Sequence, residues 1–319
     1  MTKSKPQSNL SLLLRRAYRD DRRAISQLMS MAENDPLSRL KILAKLYWRG
    51  QHGCILGITG PPGCGKSTLI AQLAKFYRRS GDTVGIIAVD PSSHITGGAL
   101  LGDRIRMGDL AADSKVFIRS MATRGQSGGI ARATEDAVRI LSATSATRVI
   151  VETAGAGQSD VDIKSLADTT IVVTSPGLGD EIQALKAGIM EIADIFVVNK
   201  ADKENADQTA QEIYSTITMG EPIHGWRPRV IKTTATTGEG ILGLAEAIDQ
   251  HAEHIRNLPS LESNSDRARR DLLDAARQYF EDIKLRKIES SRQFEKMVAN
   301  VAKKRTDPYT AARRLVENN

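Results

Sequence analysis

Ile55-Leu56-Gly57-Ile58-Thr59-Gly60-Pro61-Pro62-Gly63-Cys64-Gly65-Lys66-Ser67-Thr68 places a short apolar run directly before the pattern G-x-x-x-x-G-K-S, and a helix-forming stretch continues to Tyr77. Strand, glycine-rich loop and helix in that order make a phosphate-binding loop. The glycines at 60, 63 and 65 let the backbone turn so that its N–H groups face inward as an anion nest. The first turn of the helix adds the positive end of its dipole. Pro61, Pro62 and Cys64 fill the loop, and Cys64 reads as a small filler rather than a reactive thiol. Lys66 is placed to reach the outer phosphates, Ser67 offers a hydroxyl to Mg²⁺, and Thr68 completes the first turn.

On either side of this stretch, short apolar runs alternate with helical stretches. The runs are Cys54–Thr59, Val84–Val89, Val116–Ser120, Val149–Val151, Thr170–Thr174, Ile195–Val198 and Val230–Lys232. Strands alternating with helices predict right-handed crossovers, hence an α/β fold with a mostly parallel sheet flanked by helices. Before it, residues 1–50 read as an N-terminal helical extension, with Leu10, Leu13, Leu14 and Ala17, then Ile25, Leu28, Met29 and Met31, at helical spacing. After the core of 51–258, Pro259 and Ser260–Ser265 read as a linker. Leu272, Leu273, Ala276, Tyr279, Phe280 and Ile283, continued by Phe294, Met297, Val298 and Val301, then mark amphipathic helices across 259–319. That arm is too small to bury its own apolar face. It is expected to pair with a second copy, the other reading being that it docks on its own domain.

Composition narrows the function classes. The 319 residues are 40% hydrophobic, enough for a substantial core, and carry a net charge of +7. Residues 264–319 hold 14 Lys/Arg against 9 Asp/Glu, so most of the excess sits there and reads as a solvated helix face. Aromatic residues are only 4% and are not interleaved with basic ones, so no nucleic-acid partner is expected. No apolar run approaches the ~18 residues that span a bilayer, so no membrane span is expected. Neither a signal peptide nor a disulfide framework is read, and two cysteines (Cys54, Cys64) fit a reducing cytoplasm.

The base and the metal are read downstream. Val197-Val198 leads into Asn199-Lys200-Ala201-Asp202, an N-K-x-D pattern at a strand end. Asp202 accepts hydrogen bonds from the guanine N1–H and 2-amino group; adenine has neither donor and would leave the carboxylate unpaired. Asn199 is expected to brace loops and the Lys200 stem to lie over the base. Thr234-Ala235-Thr236 follows the last strand and offers a backbone N–H to the guanine oxygen. Val149-Ile150-Val151 leads into Glu152-Thr153-Ala154-Gly155, which resembles the D-x-x-G switch of GTPases with Glu for Asp. Glu152 is a metal-side acid and the Gly155 N–H a sensor of the γ-phosphate. Asp90 ends another strand, and Asp103 reads either as a metal-side acid or as a solvated loop acid. Ala156 stands where small signalling GTPases place a water-orienting Gln, the nearest Gln being Gln158. Slow unaided hydrolysis is therefore expected, or a catalytic group from elsewhere.

Together the stretches GPPGCGKSTL, VDPSS, TGGALLGDRIRM, SMATRGQSGGIARAT, ETAGAGQSDVDI, TSPGLGDEIQALKAGIMEIADIFVVNKAD and TTATTGEG resemble the MeaB/ArgK/MMAA family of P-loop GTPases. The family's members are chaperones of adenosylcobalamin-dependent acyl-CoA mutases. The resemblance implies that GTP with Mg²⁺ is the ligand and that Asp90, Asp103 and Glu152 surround the metal and γ-phosphate. It also implies that Arg106 lies in a switch, and that Gln183 and Lys186 belong to a segment that responds to the mutase and helps hydrolysis. Homodimers through C-terminal helices, and cobalamin handled only through the partner mutase, are further implications. His94, Ala154 and Ala156 depart from the family pattern beside the switches, which leaves the partner open between methylmalonyl-CoA mutase and a relative such as an isobutyryl- or hydroxyisobutyryl-CoA mutase.

The competing reading is a metal-delivery GTPase of the same fold. It needs convergent Cys/His ligands, whereas His52, His94, His224, His251 and His254 are scattered, with only His251 and His254 at i,i+3. An older label for similar sequences, an arginine/ornithine transport kinase, has no amino-acid-binding signature here to support it. The base assignment predicts that Asp202→Asn moves preference from guanine toward xanthine, whose position-2 carbonyl meets an amide donor. Competition between GTP and XTP reads this out, and an unchanged GTP affinity would refute it.

Overall fold

The computed structural model describes residues 6–49, 53–90, 108–122, 132–144, 146–153, 155, 159–177, 189–258 and 264–317. It divides into two compact units, one of residues 1–32 with 42–258, the other of residues 33–41 with 259–319. Among the described residues no helix is long and apolar enough to cross a membrane.

The first unit is built on seven strands: β1 (Cys54–Thr59), β2 (Val84–Asp90), β3 (Val116–Ala122), β4 (Arg148–Glu152), β5 (Thr169–Thr174), β6 (Ile195–Asn199) and β7 (Arg229–Thr233). Their order is β3-β2-β4-β1-β5-β6-β7. Every pairing among the described strands is parallel, as the alternation of strands and helices predicts. All seven apolar runs of the sequence are strands, most extended by a polar residue at one or both ends. Those end residues pair in the ladder although hydropathy does not mark them.

Alternation sends side chains to both faces of the sheet. Ile55, Ile87, Val149 and Val151 join one cluster with the N-terminal helices α1 (Pro6–Ala17) and α2 (Arg22–Asn34). Leu56, Ile58, Ile86 and Ile150 join a second cluster with Leu69, Ile70 and Leu73 of α4 (Lys66–Arg79), the helix after the glycine loop, and with Leu244 and Ile248 of α10 (Ile241–Asn257). The N-terminal region is broken by aspartates that cap the next helix. Asp21 Oδ1 accepts from the N–H groups of Arg23 and Ala24 at the start of α2, and Asp35 accepts from Leu37 and Ser38 at the start of α3 (Pro36–Tyr47).

The second unit contains α11 (Asn264–Tyr279), one π-helical stretch (Phe280–Leu285), α12 (Arg286–Glu289), α13 (Arg292–Ala302) and α14 (Pro308–Glu317). Within it, Arg39 pairs with Asp282 at 3.1 Å, both nearly buried, and donates to Gln278 Oε1 at 3.0 Å. Leu272 and Leu273 of α11 stand exposed.

His251, one of the two histidines at i,i+3, is buried. Its Nδ1 lies 2.9 Å from Thr169 Oγ1, its Nε2 3.4 Å from Asp194 Oδ1, and its ring packs edge-on to Trp226 at 4.8 Å. Lys164 of α7 (Ser159–Leu166) closes on the same Asp194 oxygen at 2.5 Å. Burial pushes the imidazole below its ordinary value of 6.5; Asp194 opposes this, while Lys164 and His254 reinforce it. The folded protein therefore holds His251 neutral where the unfolded chain protonates it. The unfolded state then binds more protons, so this contribution is complete above the ordinary imidazole value and is lost as pH falls below it. Denaturant melts from pH 8 down to pH 5 are expected to show this loss, and His251→Leu to flatten it; an equal slope in the variant would contradict the assignment.

Candidate nucleotide site

Parallel pairing brings the carboxyl ends of β1, β4, β5, β6 and β7 to one edge of the sheet, and the predicted site residues that are described lie on the segments leaving that edge. The loop Gly60–Gly65 follows β1 and runs into α4. Lys66, itself buried, folds back on the loop and donates from Nζ to the carbonyl oxygens of Gly60 at 2.6 Å and Pro61 at 3.1 Å. Its ammonium is thus held over the loop by neutral acceptors that a phosphate oxygen can replace. Cys64 is fully buried, and burial pushes its thiol above the ordinary value. Cys54 is pushed up to about 11 for the same reason. Neither cysteine is a reactive thiolate. Pro62 and Gly63 are exposed, and Thr68 lies half-buried in the first turn of α4.

The metal-side pair meets. Ser67 Oγ donates to Glu152 Oε1 at 2.8 Å, from the first turn of α4 to the last residue of β4. Two hard oxygen donors converging at the head of a phosphate loop suit Mg²⁺, which takes a carboxylate and a hydroxyl together with phosphate oxygens and water. Gly155, at φ 77°, packs so closely that a Cβ there would lie 1.8 Å from Gly60 O and 3.0 Å from Lys66 Nζ. Only glycine allows that approach.

Asn199 locks three segments together. Its Nδ2 donates to Cys64 O at 2.8 Å, while its Oδ1 accepts from Ala235 N–H at 3.1 Å and Thr233 Oγ1 at 3.2 Å. Gly65, at φ 97°, leaves room for it, since a Cβ there would lie 2.3 Å from Nδ2. Lys200, at φ 57°, donates from Nζ to Gly63 O at 2.6 Å. The Ala201 N–H donates to Thr233 O at 3.0 Å, which ties the N-K-x-D turn to the end of β7. Asp202 and Thr236 are exposed on these loops, and Thr234 is buried. Asp90 ends β2, two residues beyond the Ala88 that pairs with Glu152, and its side chain lies outside the described residues. Asp103, Arg106, Gln183 and Lys186 also lie outside them. Sequence reasoning missed the buried hydroxyl pair Thr59–Thr153, at 2.8 Å, between the end of β1 and the residue after Glu152. Its only sequence signal is a threonine at the end of one strand and another just past the end of a second.

The chain is similar to several known proteins. The family model "Methylmalonyl Co-A mutase-associated GTPase MeaB" matches residues 23–291. A putative GTPase of Pyrococcus horikoshii is 46% identical over 310 residues, covering 96% of both chains. The mouse protein named methylmalonic aciduria type A homolog, mitochondrial, is 37% identical over 190 residues, covering 58% of this chain and 46% of that one. Among solved structures, one titled LAO/AO transport system kinase superposes with a TM-score of 0.70 at 24% identity over 99% of each chain, a likeness of fold.

Replacing Asn199 by Ala strands the buried Cys64 carbonyl and Ala235 N–H. Each such group costs about 1–3 kcal/mol, so the variant is expected to lose about 3 kcal/mol and to melt about 6–12 °C lower. A melting temperature equal to the parent's would show that the brace carries no load.

Proposed function

The chain belongs to the methylmalonyl-CoA mutase-associated GTPase MeaB family, and on that premise we propose that it binds GTP with Mg²⁺, hydrolyses it slowly by itself, and uses the cycle to gate cofactor loading of a cobalamin-dependent acyl-CoA mutase. The observation that carries the reading is the contact of Ser67 with Glu152 beside Lys66 and Gly155. It couples the phosphate loop to the segment that follows β4, so occupancy of the loop bears directly on that segment.

In this reading the Gly60–Thr68 loop and Lys66 hold the phosphates, and Ser67 and Glu152, with Asp90 and Asp103, hold the metal. Mg²⁺ held by these residues would supply positive charge against the phosphates. The Gly155 N–H reports the γ-phosphate. Asp202 reads the guanine edge, Lys200 covers the base, and the Thr234–Thr236 loop approaches the guanine oxygen. Arg106 lies in a switch, Gln183 and Lys186 belong to the segment through which the mutase accelerates hydrolysis, and Ala156 leaves the unaided reaction without a side chain that orients water. The family's printed description supports a methylmalonyl-CoA mutase, or an enzyme of its kind, as partner. The exposed Leu272 and Leu273 support homodimerisation through 259–319.

Two results test the reading. Lys66→Ala is expected to abolish binding of fluorescent GDP, and retained tight binding would remove the loop from the mechanism. Adding a cobalamin-dependent acyl-CoA mutase is expected to raise the GTP hydrolysis rate at least tenfold by engaging the segment that carries Gln183 and Lys186. Fast turnover without a partner would overturn the partner-dependent part.

A further inference from the structure

Glu152 can serve a metal only if its carboxylate stays over Ser67, yet it is the last residue of its strand. One residue on, the chain is fastened twice to the root of the phosphate loop. The Thr153 N–H donates to Ile58 O at 3.1 Å, carrying the parallel ladder one step past the Ile58–Glu152 pairing. The Thr153 hydroxyl then donates to the Thr59 hydroxyl at 2.8 Å, and both side chains are fully buried. Thr59 is the residue immediately before Gly60, whose carbonyl oxygen receives Lys66 and faces Gly155. The hydroxyl pair thus sits between the two segments that carry the metal-side groups.

We propose that Thr153 and Thr59 are positioning residues: their buried hydroxyl pair fixes the direction in which the chain leaves β4, and so holds the Glu152 carboxylate on the Ser67 hydroxyl where Mg²⁺ binds. This rests on the metal reading given above. The ladder bond alone fixes the backbone position of Thr153. The hydroxyl bond adds a side-chain tether that resists rotation of the Glu152–Thr153 peptide. Partners that orient a metal ligand are worth ~10–100-fold in metal affinity.

The test uses the full chain loaded with a fluorescent non-hydrolysable GTP analogue and reads the Mg²⁺ concentration that half-maximally slows its release. Thr153→Val, which keeps shape and removes the hydroxyl, is expected to raise that concentration about tenfold while leaving nucleotide release in EDTA unchanged. Thr153→Ser is expected to restore it. Thr59→Val should reproduce the shift, and it also serves if Thr153→Val fails to fold. An unmoved half-point in Thr153→Val, or no restoration by Ser, overturns the positioning role. Glu152→Gln separates the two layers: if it moves the half-point and Thr153→Val does not, the hydroxyl pair alone is overturned. If Glu152→Gln leaves the half-point unmoved, the metal reading falls and this role with it.

Discussion

Parallel pairing of β1 with β4 on one side and β5 on the other is the constraint on which the site depends. A parallel ladder sends every strand the same way, so the loops after β1, β4, β5, β6 and β7 leave from one edge although the sequence separates them by up to 175 residues, from Thr59 to Thr234. The register places Ile58 opposite Glu152, so the strand that ends in the phosphate loop and the strand that ends in the metal-side acid finish nearly level. Ser67, one residue inside the helix after the loop, then falls within hydrogen-bond reach of Glu152. A slip of one residue would turn Glu152 to the other face.

On that edge, side chains and glycines divide the work. Asn199 cross-braces the phosphate loop and the loop after β7 from the middle of the arrangement, and the absence of a Cβ at Gly65 lets it approach. Gly155 meets Gly60 with no space for a side chain, so a shift of either backbone displaces the other. Lys66 brings its charge between them, resting on the carbonyls of Gly60 and Pro61. Phosphates that draw Lys66 away would free the carbonyl against which Gly155 packs. In this way a nucleotide event at the loop reaches the chain that leads into α7.

Much of this was legible in the sequence because it is local. The strand–loop–helix order around Lys66 and the strand end before Asn199 are written in consecutive residues, and all seven apolar runs became strands. What was not legible is tertiary. Arg148 and Arg229 begin strands that hydropathy starts one residue later, because ladder pairing does not require an apolar side chain. The i,i+3 spacing of His251 and His254 does not show that α10 turns His251 inward against Thr169, Asp194 and Trp226. The Thr59–Thr153 pair joins residues 94 apart, and neither threonine is distinguished from its neighbours until the register of β1 and β4 is known.

The account makes the ligand a guanine nucleotide, through a carboxylate at Asp202 carried on a turn that Asn199 and the Ala201 N–H hold in place. The most direct measurement is displacement of fluorescent GDP from the intact protein by GTP and by ATP in the presence of Mg²⁺. The account predicts that GTP displaces it at concentrations at least about a hundredfold lower than ATP, the discrimination expected of a site built to pair the guanine donors. Equal displacement by the two nucleotides would contradict it.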